Sequence, residues 1–369
     1  MVNGKENFIK GLLLDVDGVI MDSEPFIRQA YINFYKNKYG VNLTNEDFAD
    51  YVGTGELNSI IGIGNKFKLT YDAEEDKTGI YNTYAEIIKG KLTLMPGVRR
   101  FIDNAKKAGL RIALATSADR IKLTYSFGET NLDLSLFDFI VCGDMVNKAK
   151  PDGSIYRYAA LGLRLENEQC LVVEDALSGH KAAKNAHSES LGISGSFDDF
   201  SQMLSGADAV IRDLSVFPDF SDLNEFNSLY RTFTSEFRTK GVLGKLFSTA
   251  KEVIKNSYAP YSNFNVGAAL LTDDGNIYKG CNVENVSFGG TICAERAAAL
   301  SAISEQGRIK VKVLVVSSYS DEPAPPCAIC RQFFTEFADS DMQVYLVSLK
   351  SGVVRHYNFG TVMPLVFEL

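Results

Sequence analysis

Four short apolar runs, each breaking off at polar residues, constrain this chain more than any other feature. GLLL stops at Asp15, RIALA at Thr116 and Ser117, FIVC at Gly143 and Asp144, and CLVV at Glu174 and Asp175. Runs that are apolar throughout, rather than alternating, mark strands buried on both faces of a parallel sheet, and helical patterns between them supply the crossovers. The fold class predicted is therefore α/β, with a doubly wound, Rossmann-like sheet. In such sheets ligands gather at the carboxyl ends of the strands, where Asp15, Thr116, Lys150 and Glu174 all fall.

A chain of 369 residues exceeds what one hydrophobic core usually serves, so two domains are expected. Between Asp22 and about Met95 the strand pattern gives way to apolar residues at helical spacing, as in SEPFIRQAYINFYKNKYG, which reads as a helical insertion. The first domain is placed at 1–212, with its core at 1–21 and 96–212 and a cap at 22–95. Residues 213–238 lack a clean period and carry proline and turn residues, which reads as a linker with room for a short helix. Residues 239–369 form a second, smaller α/β unit: a helical pattern first, then a hairpin turning at Asp274-Gly275, then helix and strand in alternation.

Lys and Arg total 38 against 46 for Asp and Glu, a net of −8, which repels polyphosphate backbones and leaves small molecules as the expected partners. No stretch reaches bilayer-spanning length and the N-terminus has no leader pattern, so a cytoplasmic protein without membrane or nucleic-acid partners is expected. Six cysteines in a chain this long do not make a disulfide framework.

DVDGV alone fits a surface turn with two acids. LATSA, KAKPDGSIY and LVVEDALSG add hydroxyls, a lysine and two further acids at the other strand ends, which suits phosphate chemistry. The set resembles the haloacid dehalogenase superfamily, in its phosphatase branch with a helical cap, over residues 8–212. The resemblance implies that Asp15 attacks phosphorus to form an aspartyl-phosphate, while Asp17 protonates the leaving alcohol and then activates water. Thr116, Ser117 and Lys150 would hold the phosphoryl oxygens. Asp15, Asp17 through its carbonyl, Glu174 and Asp175 would hold Mg²⁺. A second aspartate favours phosphoester over carbon–halogen chemistry. The β-phosphoglucomutase-like relatives carry a histidine in the first cap helix where this chain has Ile27, which disfavours the mutase. His180 reads as a solvated helix residue.

TICAERAAAL reads as a helix starting near Cys293, with Glu295 in its first turn, and PPCAICRQFF starts a second helix with Cys327 and Cys330 three apart. Helix N-termini favour thiolate, the form a metal binds, and three thiolates on Zn²⁺ leave one position open for water. A four-cysteine structural site closed by Cys281, or a redox pair, would not account for the glutamate.

The Cys-x-Glu and Pro-Cys-x-x-Cys pair resembles zinc-dependent cytidine deaminase of the homotetrameric type, an α/β/α fold, over residues 239–369. This implies attack of an activated water on C4 of the pyrimidine, with Glu295 as acid and base in turn, and Arg296 bonded to the ligand sulfurs to offset their charge. Phe264 would pack on the base, Asn282 and Glu284 would bind the ribose, and Phe288 and Phe367 would line the pocket or an interface.

The function expected is bifunctional: zinc-dependent deamination of cytidine or deoxycytidine, and Mg²⁺-dependent phosphomonoester hydrolysis on a pyrimidine nucleotide. The alternatives are a first domain that is a sugar-phosphate phosphatase, a phosphomutase or a non-catalytic module, and a second that deaminates polynucleotides.

Overall fold

The computed structural model describes residues 8–44, 46–48, 56–195 and 197–363, and the chain divides into two compact units. Residues 9–202 and 210–230 form the first, and residues from 231 onward, with 203–209, the second. Each is a separate α/β body with its own sheet, as the apolar runs predict.

The first sheet comprises β1 (Gly11–Leu14), β2 (Arg111–Ala115), β3 (Phe139–Val141), β4 (Cys170–Glu174), β5 (Glu189–Ile193) and β6 (Ala209–Ile211), in the order β3-β2-β1-β4-β5-β6. β1 pairs in parallel with both β2 and β4, in registers that set Leu14 opposite Leu114 and Val173. The carboxyl ends of three strands are therefore level. The chain runs outward from β1 to β3 on one side and resumes at β4 on the other, and this reversal opens a crevice beyond the strand ends. Below it, Leu13, Ala113, Val141 and Val172 pack with Ile155, Tyr156 and Ala159 of the helix Ser154–Gly162.

Residues 22–95 carry helices Glu24–Tyr39, Glu56–Lys66 and Ala73–Ile88. Ile27, Ala30, Tyr31 and Tyr35 form the buried stripe of the first, and Ile80, Tyr81, Tyr84 and Ile88 that of the third, the three-and-four spacing of amphipathic helices.

Residues 213–238 hold more order than a linker: a short turn of helix at Leu214–Val216, then the 16-residue helix Leu223–Arg238. Phe217, Phe220 and Phe226 cluster on Phe101, with ring centroids 5.0–6.4 Å apart. The Asn227 carboxamide closes a two-way hydrogen-bond pair with the backbone of Ile9 (2.8 and 2.9 Å). These contacts explain why the helix, as far as Tyr230, groups with the first unit.

The second sheet comprises β7 (Val266–Thr272), β8 (Ile277–Cys281), β9 (Val311–Ser318), β10 (Ala338–Ser348) and β11 (Val354–Asn358), in the order β11-β10-β9-β7-β8. Only β9 and β10 run parallel among the described pairs, and the β7–β8 hairpin turns at Gly275. Period-two alternation gives each face its own core. Ala268, Leu270, Leu314, Val316, Val344 and Leu346 meet the helix Ala294–Gln306 and Phe334. Ala269, Leu271, Val313, Val315 and Tyr345 meet the helix Gly241–Val253. On the first face, Gly280 of β8 lies so close to the helix that a Cβ there would stand 2.3 Å from the Ala298 nitrogen. Among the described residues, no helix is long and apolar enough to cross a membrane.

Two candidate active sites

In the first unit, Asp15, Glu174 and Asp175 come together in the crevice at the strand ends, each offering an oxygen within 4.8 Å of the others. Lys150, with a side chain 4% exposed, reaches into this cluster: its Nζ donates to Asp15 Oδ1 (2.7 Å) and Glu174 Oε1 (2.6 Å). Tyr156 OH donates to the same Glu174 oxygen (2.9 Å), and its ring lies under the Lys150 ammonium with the centroid 5.1 Å away. Glu174 Oε2 accepts from the backbone nitrogens of Asp175 and Ala176, both at 2.9 Å. Gly18, at φ +77°, passes so near Asp175 that a Cβ would lie 2.2 Å from its Oδ2.

Burial, and then the neighbouring carboxylates, push Asp15 to about 7, although Lys150 opposes the shift, and push Asp175 to about 9. Burial is the largest influence on Glu174 and works against its ionised form, but Lys150, His180 and the Ala176 N–H together outweigh it and the net shift is downward. Asp15 and Glu174 likewise hold Lys150 charged despite its burial. Three close carboxyls with one ammonium between them form a donor set with surplus negative charge. A hard divalent cation on oxygen ligands relieves that surplus, so the residues fit Mg²⁺.

Asp17 lies in the same cavity of about 690 Å³, beside Ser117, Ile27 and Arg28. Thr116 is buried and its hydroxyl accepts from the Ala118 nitrogen at 3.1 Å. Sequence reasoning missed three participants. Ser23 donates to Asp17 Oδ1, Lys122 Nζ donates to Asp17 Oδ2 at 2.9 Å, and Tyr156 braces Glu174. His180 is not solvated but fully buried, its ring nitrogens paired with Ser190 Oγ (2.8 Å) and Gln202 Oε1 (3.0 Å). The face of its helix turned to β4 and β5 claims it.

In the second unit, Cys293 caps the helix Ala294–Gln306 and Cys327 caps the helix Ala328–Phe334, with Cys330 one turn inside. The sulfurs of Cys293, Cys327 and Cys330 lie within 4.8 Å of one another, and Cys281 is not among them. Cys293 and Cys327 Sγ are 3.6 Å apart. A tetrahedral ion about 2.3 Å from each sulfur would set them about 3.8 Å apart, so the trio fits Zn²⁺.

A hydrogen bond from Cys330, aided by Arg296, draws the Cys293 thiol down to about 5, and the Cys330 thiol moves up in return. Arg296 Nη2 donates to Thr291 O (3.0 Å) and approaches Cys293 Sγ at 4.0 Å. Glu295 is 4% exposed, and burial raises its carboxyl to about 7. A carboxyl balanced near neutrality next to three sulfurs can both give and take a proton.

The other expected contacts are less uniform. Asn282 Oδ1 accepts from Val266 N (2.8 Å) and Ser257 Oγ (2.5 Å), and its Nδ2 donates to Phe264 O (2.8 Å). Glu284 accepts from Tyr261 N (2.8 Å), Ser262 N (3.2 Å) and Ser262 Oγ. Phe264 and Phe288 are exposed, the latter at 81%. Phe367 lies outside the described residues.

Residues 12–193 match the family model described as haloacid dehalogenase-like hydrolase, and residues 242–346 match the cytidine and deoxycytidylate deaminase zinc-binding region. Over 124 residues the chain is 45% identical to a cytidine deaminase of Sporosarcina psychrophila, covering 34% of this chain and 90% of that protein. Over 206 residues it is 29% identical to a phosphorylated carbohydrates phosphatase of Thermotoga maritima, covering 55% of this chain and 94% of that one. The crystal structure of CbbY from Rhodobacter sphaeroides in complex with phosphate shares 25% identity at a TM-score of 0.51, over 56% of this chain and 96% of that one.

Proposed function

Because the chain belongs to the haloacid dehalogenase-like hydrolases through its first unit and to the cytidine and deoxycytidylate deaminases through its second, we propose that it is one bifunctional hydrolase. The observation that carries this is the presence of a complete donor set in each unit: Asp15, Lys150, Glu174 and Asp175 in one, and Cys293, Cys327 and Cys330 with Glu295 in the other.

In the second unit the three sulfurs would hold Zn²⁺, which when bound would supply Lewis-acid activation of a water. Glu295 would take one proton from that water and pass it to N3 as the oxygen bonds to C4, then take the remaining hydroxyl proton and give it to the amino group, which leaves as ammonia while the C4 carbonyl forms, a sequence that suits a carboxyl near 7. Arg296 offsets the surplus negative charge of three thiolates. The Asn282 oxygen has both lone pairs taken, so this side chain meets a ribose hydroxyl only through its second N–H, while Glu284 keeps one acceptor position free. Phe264 covers the base. Val286, Phe288 and Tyr258, exposed at 78%, 81% and 56%, offer apolar surface suited to contact with further copies of this chain, in keeping with the homotetramer that the deaminase resemblance implies.

In the first unit Asp15, Glu174, Asp175 and the Asp17 carbonyl would hold Mg²⁺, which when bound would offset the charge between an anionic nucleophile and an anionic ester. Asp15 attacks phosphorus, Asp17 protonates the leaving alcohol and then activates water, and Lys150, Thr116 and Ser117 hold the phosphoryl oxygens. The fusion itself motivates a pyrimidine nucleotide as substrate. The likeness to a phosphorylated carbohydrates phosphatase motivates a sugar phosphate as the second reading.

Two assays on the whole chain test this. Glu295→Gln should retain about one zinc per chain while ammonia release from cytidine falls about 10²- to 10⁴-fold, the range for losing a general acid–base. Wild-type ammonia release in the variant would refute the deaminase mechanism. Phosphate release from a panel of nucleoside monophosphates and sugar phosphates should vanish in Asp15→Asn, and hydrolysis of sugar phosphates with none of CMP or UMP would refute the nucleotide reading.

A further inference from the structure

Lys122 is a buried ammonium that the reaction just described does not use. It lies on the helix Arg120–Thr130, its side chain 4% exposed, with Nζ 2.9 Å from Asp17 Oδ2. The ring of Tyr84, from the helix Ala73–Ile88, lies 5.8 Å from the same ammonium. The helix turn beneath is fixed as well: Ser126 Oγ donates to the Lys122 carbonyl (2.9 Å) and pairs with Tyr84 OH (2.7 Å). A lysine desolvated to this degree is costly unless its charge is matched, and the carboxylate it meets is that of Asp17.

We propose that Lys122 is a positioning residue for the phosphomonoester reaction, holding the Asp17 carboxyl group on the line along which its proton reaches the leaving oxygen. The inference rests on the reading of Asp15 as nucleophile and Asp17 as general acid. In the first step the Asp15 oxygen forms a bond to phosphorus as the bond from phosphorus to the alcohol oxygen breaks, and the Asp17 proton moves to that oxygen. In the second step Asp17 takes a proton from water, whose oxygen bonds to phosphorus, and Asp15 and inorganic phosphate are released. A carboxylate free to rotate about its χ angles serves both transfers poorly, since misplacement by about 1 Å costs on the order of 100-fold. Ser23 holds only Oδ1, and Lys122 holds the other oxygen. Lys122 is distinct from the phosphate anchor, because the ammonium that reaches Asp15 is that of Lys150.

The test exploits the leaving group. p-Nitrophenolate departs without a proton, whereas an alkoxide needs one. Lys122→Met keeps most of the buried stem, and Lys122→Arg restores a cation. In single-turnover experiments on the intact chain with Mg²⁺, Lys122→Met should slow cleavage of the fastest alkyl phosphomonoester in the panel about 10- to 100-fold, while the burst of p-nitrophenolate changes less than about threefold. Lys122→Arg should recover part of the alkyl rate.

Equal slowing on both esters, or no slowing on either, would overturn the proposal. An alkyl rate in Lys122→Arg no better than in Lys122→Met would overturn it as well. Asp17→Asn separates this from failure of the underlying reading: if that variant slows both esters alike, Asp17 is not the acid, whatever Lys122 does. Calorimetric melting of the first unit close to the wild-type temperature shows that each variant remains folded there, and ammonia release from cytidine by the second unit calibrates the amount of chain in each sample.

Discussion

Gly18→Ala isolates the geometry of the carboxyls proposed to hold Mg²⁺. Gly18 sits at φ +77°, where a residue with a Cβ costs about 1–2 kcal/mol. The added carbon would lie 2.2 Å from Asp175 Oδ2 and 2.4 Å from its Cγ. Since unstrained non-bonded contacts lie at about 3.5 Å, the carboxylate must retreat by about 1 Å. Mg²⁺ demands near-ideal octahedral geometry, and a displacement of that size costs on the order of 10- to 100-fold in a positioned reaction. The variant should therefore need about 10- to 100-fold more Mg²⁺ for half-maximal phosphate release. Its first unit should melt roughly 2–8 °C lower. Both are measurable on the intact chain by a Mg²⁺ titration and by calorimetry, with ammonia release from cytidine as the internal standard. A wild-type Mg²⁺ requirement in Gly18→Ala would show that Asp175 does not meet the cation from this position.

The same carboxyls make the first unit sensitive to pH. Asp15 and Asp175 stand at about 7 and about 9 in the fold against 3.8 ordinarily, so the fold keeps protons that the unfolded chain gives up across that interval. Their stabilisation is fully present below about pH 4 and is lost as pH rises to about 9. With chelator present, the melting temperature of the first unit should fall from about pH 5 to about pH 9, and Mg²⁺ should flatten the decline. A rise over that range would contradict the shifts. In the second unit, Phe334 is fully buried beside Phe333, with ring centroids 5.9 Å apart. Phe334→Ala should cost about 3–5 kcal/mol and lower that unit's melting temperature by roughly 10–20 °C, as calorimetry would show, while phosphate release stays at the wild-type rate.

Asp15, Glu174 and Asp175 were readable because strand ends in a parallel sheet are forced together, so polar residues after apolar runs could be paired from the sequence; Lys150 lies in the loop between β3 and the helix Ser154–Gly162 and was readable through the family resemblance. The cysteine trio was readable for a related reason: both helix starts carry their sulfurs at cap positions. Lys122 was not readable. KLTYSFGET looks like an ordinary half-solvated helix, and the burial of its lysine comes from the helix Ala73–Ile88, some 40 residues earlier, packing over it. His180 misled in the same way, since the partners that satisfy its ring, Ser190 and Gln202, lie one strand and one helix further on. Asn282 and Glu284 do share a side of their strand, but alternation reveals direction and not occupancy, and backbone groups of the preceding loop already claim much of both side chains. The helix Leu223–Arg238 lay hidden because its neighbours Phe217 and Phe220 supply apolar residues off any helical period, and they cluster with Phe226 around Phe101.

The near contact between Gly280 and the helix Ala294–Gln306 has a reach greater than its size. That helix is seated by backbone against backbone, with alanines where bulk would lift it, and its first sulfur donor rides on its tip. Spacing at a remote strand thus works as a shim beneath the metal-facing end of the rod. Thickening it by a single methyl would tilt one corner of the sulfur triangle away from the other two, so a residue devoid of side-chain chemistry governs how closely three sulfurs can gather.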